Sequence, residues 1–127
     1  MLLGKIILLV SALVFTAYGL VSLISPATPA GFAGLLMTNG DAFTEIGSMY
    51  GGLQTGIGLY CALAAFRTEF YRPGLALLAI AIGALALARL ISIFLAPDPV
   101  SAYSLGAFAY ELLTALLASI ALLKTSR

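Results

Sequence analysis

Four long apolar stretches divide this chain, each close to the length of a membrane-spanning helix. They run from Ile6 to Ile24, from Ile46 to Phe66, from Leu75 to Ala96 and from Tyr103 to Leu123. About 20 apolar residues cross a hydrocarbon core of about 30 Å as a helix, and in lipid only a helix or a closed barrel satisfies its own backbone polar groups. With 62% hydrophobic and 9% charged residues, the chain is too apolar for a soluble domain. We therefore predict one all-α transmembrane domain over residues 1–127.

Proline-containing segments between the stretches set the expected helix boundaries. Ser25-Pro26 follows the first stretch, Arg72-Pro73-Gly74 opens the third, and Pro97-Asp98-Pro99 closes it. Because proline lacks the N–H that a helix interior needs, we predict helices over about 5–25, 45–66, 73–96 and 103–124. The expected architecture is an integral membrane four-helix bundle made of two antiparallel hairpins.

Lysine and arginine flank only one side of the predicted bundle. The flanking cations are Lys5, Arg67, Arg72, Lys124 and Arg127, whereas the opposite loops contain none. The positive-inside rule assigns the cationic side to the cytoplasm. We therefore predict a multi-pass protein of the inner (cytoplasmic) membrane with both termini cytoplasmic.

The first outer loop, residues 26–44, is long for a connection between two helices. It carries Phe32, Leu35, Leu36 and Met37 in a helix-compatible pattern. We predict a short interfacial helix in this loop.

Small and polar residues mark the helix faces that pack together in lipid. In the second helix, Gly47-x-x-x-Gly51 and Gly52-x-x-x-Gly56 predict close backbone contact with a neighbouring helix. On the first helix, steps of three and four residues place most polar atoms on one stripe, formed by Ser11, Phe15, Tyr18, Ser22 and Ser25.

Arg89 and Glu111 are the full charges that lie well inside the apolar stretches. An ionisable side chain near the bilayer centre costs roughly 2.5 to 3.5 kcal/mol even on insertion scales, so it usually faces the protein interior and has a partner. A rise of 1.5 Å per residue places both side chains about 12 to 14 Å below the outer turn. They are therefore predicted to meet as an ion pair between the third and fourth helices.

The same region contains further polar candidates, and we predict that they line an outward-facing polar cavity with the pair. There the guanidinium would hold an anionic or carbonyl-bearing head group, and apolar walls would take the tail of a lipid-like or quinone-like molecule. Glu45, at the outer mouth of the second helix, either lines this cavity or faces water, because regular helix geometry places it nearly opposite Gln54. The other candidates are Tyr18, Tyr50, Gln54 and Tyr110.

Two other interpretations of the charged pair stay open. The pair can be a structural clamp that fixes the packing of two helices. The protein can also be an accessory or assembly subunit that packs against a larger membrane complex, or it can form a homo-oligomer. Membrane lipid surrounds it in each case.

Composition argues against catalysis. With no histidine and one cysteine, the chain lacks a Ser-His or Cys-His nucleophile arrangement, a zinc-ligand set and an axial histidine for haem. A glutamate paired with arginine tends to stay ionised, which makes it a poor proton shuttle. We predict a non-catalytic protein without cofactor or metal, and the net charge of +1 gives no basis for nucleic-acid binding.

Three segments together resemble a known family. They are Glu45-Ile-Gly-Ser-Met-Tyr50-Gly51-Gly52-Leu-Gln54, Leu87-Ala-Arg89-Leu-Ile-Ser, and Glu111. This pattern resembles an uncharacterised family of small four-helix bacterial membrane proteins, a domain of unknown function that is distantly similar to the DoxX-like group. Gly47 stands where that family usually has arginine. The resemblance covers nearly the whole chain and implies a fold but no established activity.

Overall fold

The computed structural model describes residues 1–125, and these residues form five helices without a strand. Helix α1 is Leu2–Ile24, and α2 is Ala27–Ala33. Helix α3 runs without interruption over residues 40–66, α4 is Thr68–Leu95, and α5 is Ala102–Lys124. The all-α prediction is therefore confirmed. Arg127, one of the cations used to predict the topology, lies outside the described residues.

Three helices within the described residues are long and apolar enough to cross a membrane: α1, α4 and α5. They correspond to the first, third and fourth predicted spans. Helix α3 covers the second predicted span but is not among the three, which fits the polar Gln54 and Thr55 and the five glycines between residues 47 and 58. Its membrane crossing, and with it the four-helix bundle, stays a prediction.

Helix α4 begins earlier than the prolines suggest. Arg67 has an extended backbone (φ −121°, ψ 117°) and precedes the first helical residue, Thr68. Pro73 lies inside the helix rather than at its start. Proline supplies no N–H to the carbonyl four residues earlier, here that of Glu69. Pro73 is the sixth residue of α4, so the lost hydrogen bond lies within about one and a half turns of the start of the helix, where Thr68 and Glu69 are exposed.

Two helices contain π-helical segments that the sequence gives no reason to expect. Gly47–Leu53 is π-helical within α3, and Leu78–Ile82 is π-helical within α4. A π turn closes i→i+5 hydrogen bonds and so holds one residue more than an α turn. Residues before and after each segment therefore cannot be placed on common faces by counting 3.6 residues per turn.

The described residues group into two compact units, and the single domain predicted over residues 1–127 stays a prediction. One unit is Leu9–Leu63, which contains most of α1 and α3 together with α2. The other unites Met1–Leu8 with the chain from Ala64 onward, including α4 and α5.

Within residues 9–63, α1 and α3 approach each other through glycines. A methyl group on Gly51 would lie 2.8 Å from Cα of Leu23, and one on Gly58 would lie 2.5 Å from the backbone nitrogen of Thr16. Gly52 and Gly56 have open space at the same position. The prediction of close contact is therefore right for Gly51 and wrong for the Gly52-x-x-x-Gly56 pair, because those two glycines lie on another side of α3.

The polar stripe predicted on α1 is a covered face. Ser11, Phe15 and Ser22 are buried, and Tyr18 and Ser25 are half-buried. The hydroxyl oxygens of Ser11 and Ser22 are buried without a hydrogen-bond partner among the described residues.

The connection after α1 contains the predicted short helix, but in a different place. Helix α2 ends at Ala33 because Gly34 adopts the left-handed conformation (φ 73°) that favours glycine. Leu35, Leu36 and Met37, which we predicted to be helical, follow that cap in irregular chain. Asn39 then caps α3, since its side-chain oxygen accepts a hydrogen bond from the amide of Ala42 at 2.9 Å.

In the unit that contains α4 and α5, the core is built from leucines and small residues. Leu8, Leu75 and Leu78 are fully buried, and Ala118 on α5 is equally covered. A methyl group on Gly83 would lie in ordinary contact with Ala115, at 3.7 Å. Small side chains thus bring α4 and α5 close together along the helix turns that precede Arg89.

Arg72 joins the beginning of α4 to the end of α5. Its Nη1 donates hydrogen bonds to the carbonyl oxygen of Leu122 and to Oγ1 of Thr125, both at 3.1 Å. The last carbonyls of a helix have no partner within the helix and carry partial negative charge. A cation at this place therefore caps α5 and holds the two helices antiparallel.

Candidate functional site

Arg89 and Glu111 form a bidentate ion pair between α4 and α5. Nε of Arg89 donates to Oε1 of Glu111 at 2.8 Å, and Nη2 donates to Oε2 at 2.9 Å. Two parallel charge-assisted hydrogen bonds of this kind are stronger and more directional than a single contact. The pair therefore fixes the orientation of both side chains.

The fold brings the two charges together through the packing of the neighbouring turns. Ala86 on α4 is 2% exposed, and Ala115 and Ala118 on α5 are also buried. Because these small residues allow a close approach of the helix backbones, the Arg89 side chain reaches the Glu111 carboxylate in the fork geometry. Thr114, one turn after Glu111, is likewise buried.

The two partners differ in how well they are covered. The Glu111 side chain is 8% exposed, whereas the Arg89 side chain is 25% exposed. The carboxylate is thus almost enclosed by protein, while the cation has a surface that another molecule can reach. This asymmetry gives the pair an accessible positive side.

Tyr110 is the third predicted site residue in this unit. It precedes Glu111 on α5, is half-buried, and has a buried hydroxyl oxygen. The structure thus places Arg89, Tyr110 and Glu111 on two adjacent helices, with the charged groups in direct contact.

The remaining predicted site residues belong to the unit of residues 9–63. Tyr18 on α1 is half-buried, as are Tyr50, inside the π-helical segment of α3, and Gln54, which follows that segment. Glu45, in the first turns of α3, is exposed. A single cavity formed by these residues together with Arg89 and Glu111 stays a prediction.

The expected opposition of Glu45 and Gln54 assumed a regular helix. The π-helical segment Gly47–Leu53 lies between them. One extra residue in a turn changes the angle between preceding and following side chains by about 100°. The geometric argument against both residues sharing a face therefore fails, although the sequence offered no signal for the π segment.

Metal binding has no support among the described residues, which contain no group of three or more His, Cys, Asp and Glu side chains suited to a metal ion. Cys61 is fully buried in α3 and forms no disulfide. A small buried cysteine of this kind fills space in a helix interface.

These features define the class of the protein: a small helical membrane protein of unknown activity, with apolar helices and a paired arginine and glutamate within two of them. The family follows from the sequence. Residues 3–122 match the model of the family described as Domain of unknown function (DUF4345), and the chain belongs to that family.

Comparison with curated proteins and with solved structures gave no match. The family match confirms the predicted membership of an uncharacterised family. The significance of Tyr50-Gly51-Gly52 as a family motif and the relation to the DoxX-like group stay predictions.

Proposed function

We propose that this protein is a non-catalytic, multi-pass protein of the inner membrane that binds a lipid-like or quinone-like molecule through Arg89. The observation that carries the proposal is the bidentate Arg89–Glu111 pair, in which the carboxylate is enclosed and the guanidinium is partly accessible. In this arrangement Glu111 orients the cation, and Arg89 contacts the head group.

Energetics favour a role that needs the charges themselves. Replacing a buried ion pair by well-packed apolar residues is often neutral or stabilising, by about 1 to 4 kcal/mol. Helices α4 and α5 already pack through Ala86, Ala115 and Ala118, so they do not require an ion pair to hold them together. A guanidinium held in fixed orientation, by contrast, is suited to recognise a phosphate, a carboxylate or a quinone carbonyl.

The surroundings of Arg89 suit a molecule with a polar head and an apolar tail. Leu85, one helical turn before Arg89, is 38% exposed, and Leu112, next to Glu111, is 40% exposed. A tail lying against such leucines stays in an apolar environment while its head group reaches the cation. An oriented cation beside exposed aliphatic side chains supports the proposal of a ligand with a polar head group and an apolar tail.

The proposed topology has four crossings, with both termini in the cytoplasm. Tyr71, near the start of α4, donates a hydrogen bond to the Met1 carbonyl at 3.2 Å, so α1 and α4 begin at the same end. If α1 crosses the membrane, the chain must cross back before α4 begins. Helix α3 is the one helix of sufficient length in between, because 27 residues (40–66) span roughly 40 Å.

The contact of Arg72 with Leu122 adds support, since it places the end of α5 beside the start of α4. The end of α5 then lies on the same side as the beginning of α1. Lys5, Arg67, Arg72 and Lys124 all belong to that side, which the positive-inside rule assigns to the cytoplasm.

Native mass spectrometry after gentle extraction from the membrane tests the proposal. The variants are Arg89→Gln/Glu111→Gln, which removes both charges and strands neither, and Arg72→Gln, which removes a cation away from the pair. Wild type and Arg72→Gln are expected to retain a discrete small mass that the double variant loses while it stays folded. The charge-swapped variant Arg89→Glu/Glu111→Arg tests whether the cation must stand on α4.

A small mass that survives in the folded double variant would overturn the binding proposal. A protein partner, found with no small mass in wild type, would overturn it too and would favour an accessory or assembly subunit. If the substitutions change only stability, the pair is a structural clamp.

A further inference from the structure

A basic pocket lies at the opposite end of α4 from Arg89, within the unit that contains Met1–Leu8 and the chain from Ala64 onward. Its volume is about 190 Å³. The beginning of α1, the end of α3 and the beginning of α4 form it. It is lined by Lys5, Phe66, Arg67, Thr68 and Tyr71, together with Met1, Ala64 and Ala65.

The charge of the pocket wall is positive. Lys5 and Arg67 both line it, and no acidic side chain does. Glu69 pairs with Arg67 at 2.6 Å, but both side chains are more than half exposed, so solvent weakens this contact. The pocket is therefore suited to an anion.

Two contacts give the pocket a defined shape. The ammonium group of Lys5 lies 5.8 Å from the centre of the Phe66 ring, a distance at which the ring attracts the cation. The Tyr71 side chain is 5% exposed, and its hydroxyl bonds the Met1 carbonyl. The first turn of α1, which carries Lys5, is thereby held against α4.

The position of the pocket at the ends of apolar helices indicates which class of anion it binds. The pocket opens where apolar helices end, next to Phe66, which is 70% exposed. Aromatic side chains at such helix ends lie at the level of lipid head groups. On the topology proposed above this end of the helices is cytoplasmic, and basic pockets between helices on that side bind anionic head groups. We propose that this pocket binds the phosphate group of an anionic phospholipid, held by Lys5 and Arg67.

The proposal is independent of the ligand at Arg89. It concerns the other end of α4 and other side chains, so an experiment can refute either binding proposal without refuting the other.

Lipid titration of the full chain in a non-ionic detergent, followed by native mass spectrometry and thermal unfolding, tests the pocket. The probes are phosphatidylglycerol, phosphatidylcholine and inorganic phosphate. The variant Lys5→Gln/Arg67→Gln removes the two cations, Lys5→Arg/Arg67→Lys keeps them, and Lys124→Gln removes an exposed cation from the same end of the unit without touching the pocket.

Wild type is expected to bind one phosphatidylglycerol at least tenfold more tightly than phosphatidylcholine. The glutamine double variant should lose at least tenfold in affinity for phosphatidylglycerol, whereas the charge-conserving variant and Lys124→Gln should stay within about threefold of wild type. Unchanged unfolding of lipid-free protein shows that the glutamine variant is folded.

Three results would overturn the proposal. An equal loss in Lys124→Gln would mean that diffuse surface charge attracts the lipid. Full binding by the glutamine double variant would mean that the pocket is not the site. Stabilisation by inorganic phosphate equal to that by phosphatidylglycerol would make it a site for a free anion instead of a lipid.

Discussion

The glycines of α3 provide a sharp test of how α1 and α3 pack. Gly51 and Gly52 are neighbours in the same π-helical segment, but only Gly51 touches α1. A methyl group on Gly51 would lie 2.8 Å from Cα, 2.9 Å from N and 3.0 Å from Cβ of Leu23, whereas one on Gly52 would meet nothing within 4 Å. Alanine is therefore expected to be less well tolerated at Gly51 than at Gly52.

The size of the difference follows from the geometry. Ordinary contact for a Cβ atom begins at 3.4 Å, so α1 must retreat by several tenths of an ångström to admit a methyl group at Gly51. Because the clash is with backbone atoms, no rotamer change can relieve it, and overpacking of this kind costs about 1 to 3 kcal/mol. Alanine gains up to about 1 kcal/mol over glycine in a helix. That gain is common to both variants, so Gly51→Ala should be less stable than Gly52→Ala by about 1 to 3 kcal/mol.

Cys61 is the natural probe for this measurement. It is the one cysteine of the chain and is fully buried, so a maleimide labels it when the surrounding helices separate. Labelling over a titration with sodium dodecyl sulfate gives the free energy of unfolding of each variant. Gly58→Ala and Gly56→Ala form a second matched pair, because the former meets the backbone of Thr16 and the latter meets nothing.

Equal stability of Gly51→Ala and Gly52→Ala, within about 0.5 kcal/mol, would refute the packing argument. So would a loss in Gly56→Ala as large as that in Gly58→Ala, because the open face of α3 would then be a contact surface.

The other expectations concern single interactions, measured by the same unfolding assay. Glu111→Gln should lower the free energy of unfolding by about 3 to 5 kcal/mol, because it removes one charge of a largely buried ion pair, and Arg89→Met/Glu111→Leu should recover most of it; no recovery would contradict this account of the pair. Arg72→Gln removes two exposed hydrogen bonds at the end of α5 and should cost about 0.5 to 1.5 kcal/mol, with an unchanged value showing that the cap is dispensable. Asn39→Ala removes the N-cap of α3 and should cost about 1 kcal/mol, whereas a neutral effect would mean that solvent replaces the cap. Ser11→Ala should be neutral or stabilising, because its buried hydroxyl has no partner among the described residues; a loss above about 1 kcal/mol would reveal a hydrogen bond in solution.

Features that a strong physical requirement determines could be predicted from the sequence. Length and hydropathy identify α1, α4 and α5, because the bilayer thickness fixes the length of a span. The pairing of Arg89 with Glu111 was predictable because two charges at similar depth in apolar helices have few other partners. The covered stripe on α1 followed from the position of its serines.

Features that depend on small energy differences could not be predicted from the sequence. Leu78–Ile82 consists of ordinary helix-compatible residues, and the glycines of Gly47–Leu53 permit a π turn without specifying it, so the shift in hydrogen bonding could not be predicted from the sequence. The small-residue spacing identified Gly51 but not Gly58, because spacing along one helix does not say which side the partner approaches. The basic pocket could not be predicted because Lys5 is more than 60 residues away from Arg67 and Tyr71 in the chain, and the cations alone indicated only the topology.

The extra residue in the turn Leu78–Ile82 has a consequence for comparing this chain with its relatives. Deleting one residue there would convert the turn to regular α-helix and leave the flanking halves of α4 intact. Relatives that lack one residue at this position can therefore keep both the core around Leu75 and the side of the helix on which Arg89 lies. An alignment that places such a gap elsewhere would pair Arg89 with a residue that is not its structural equivalent.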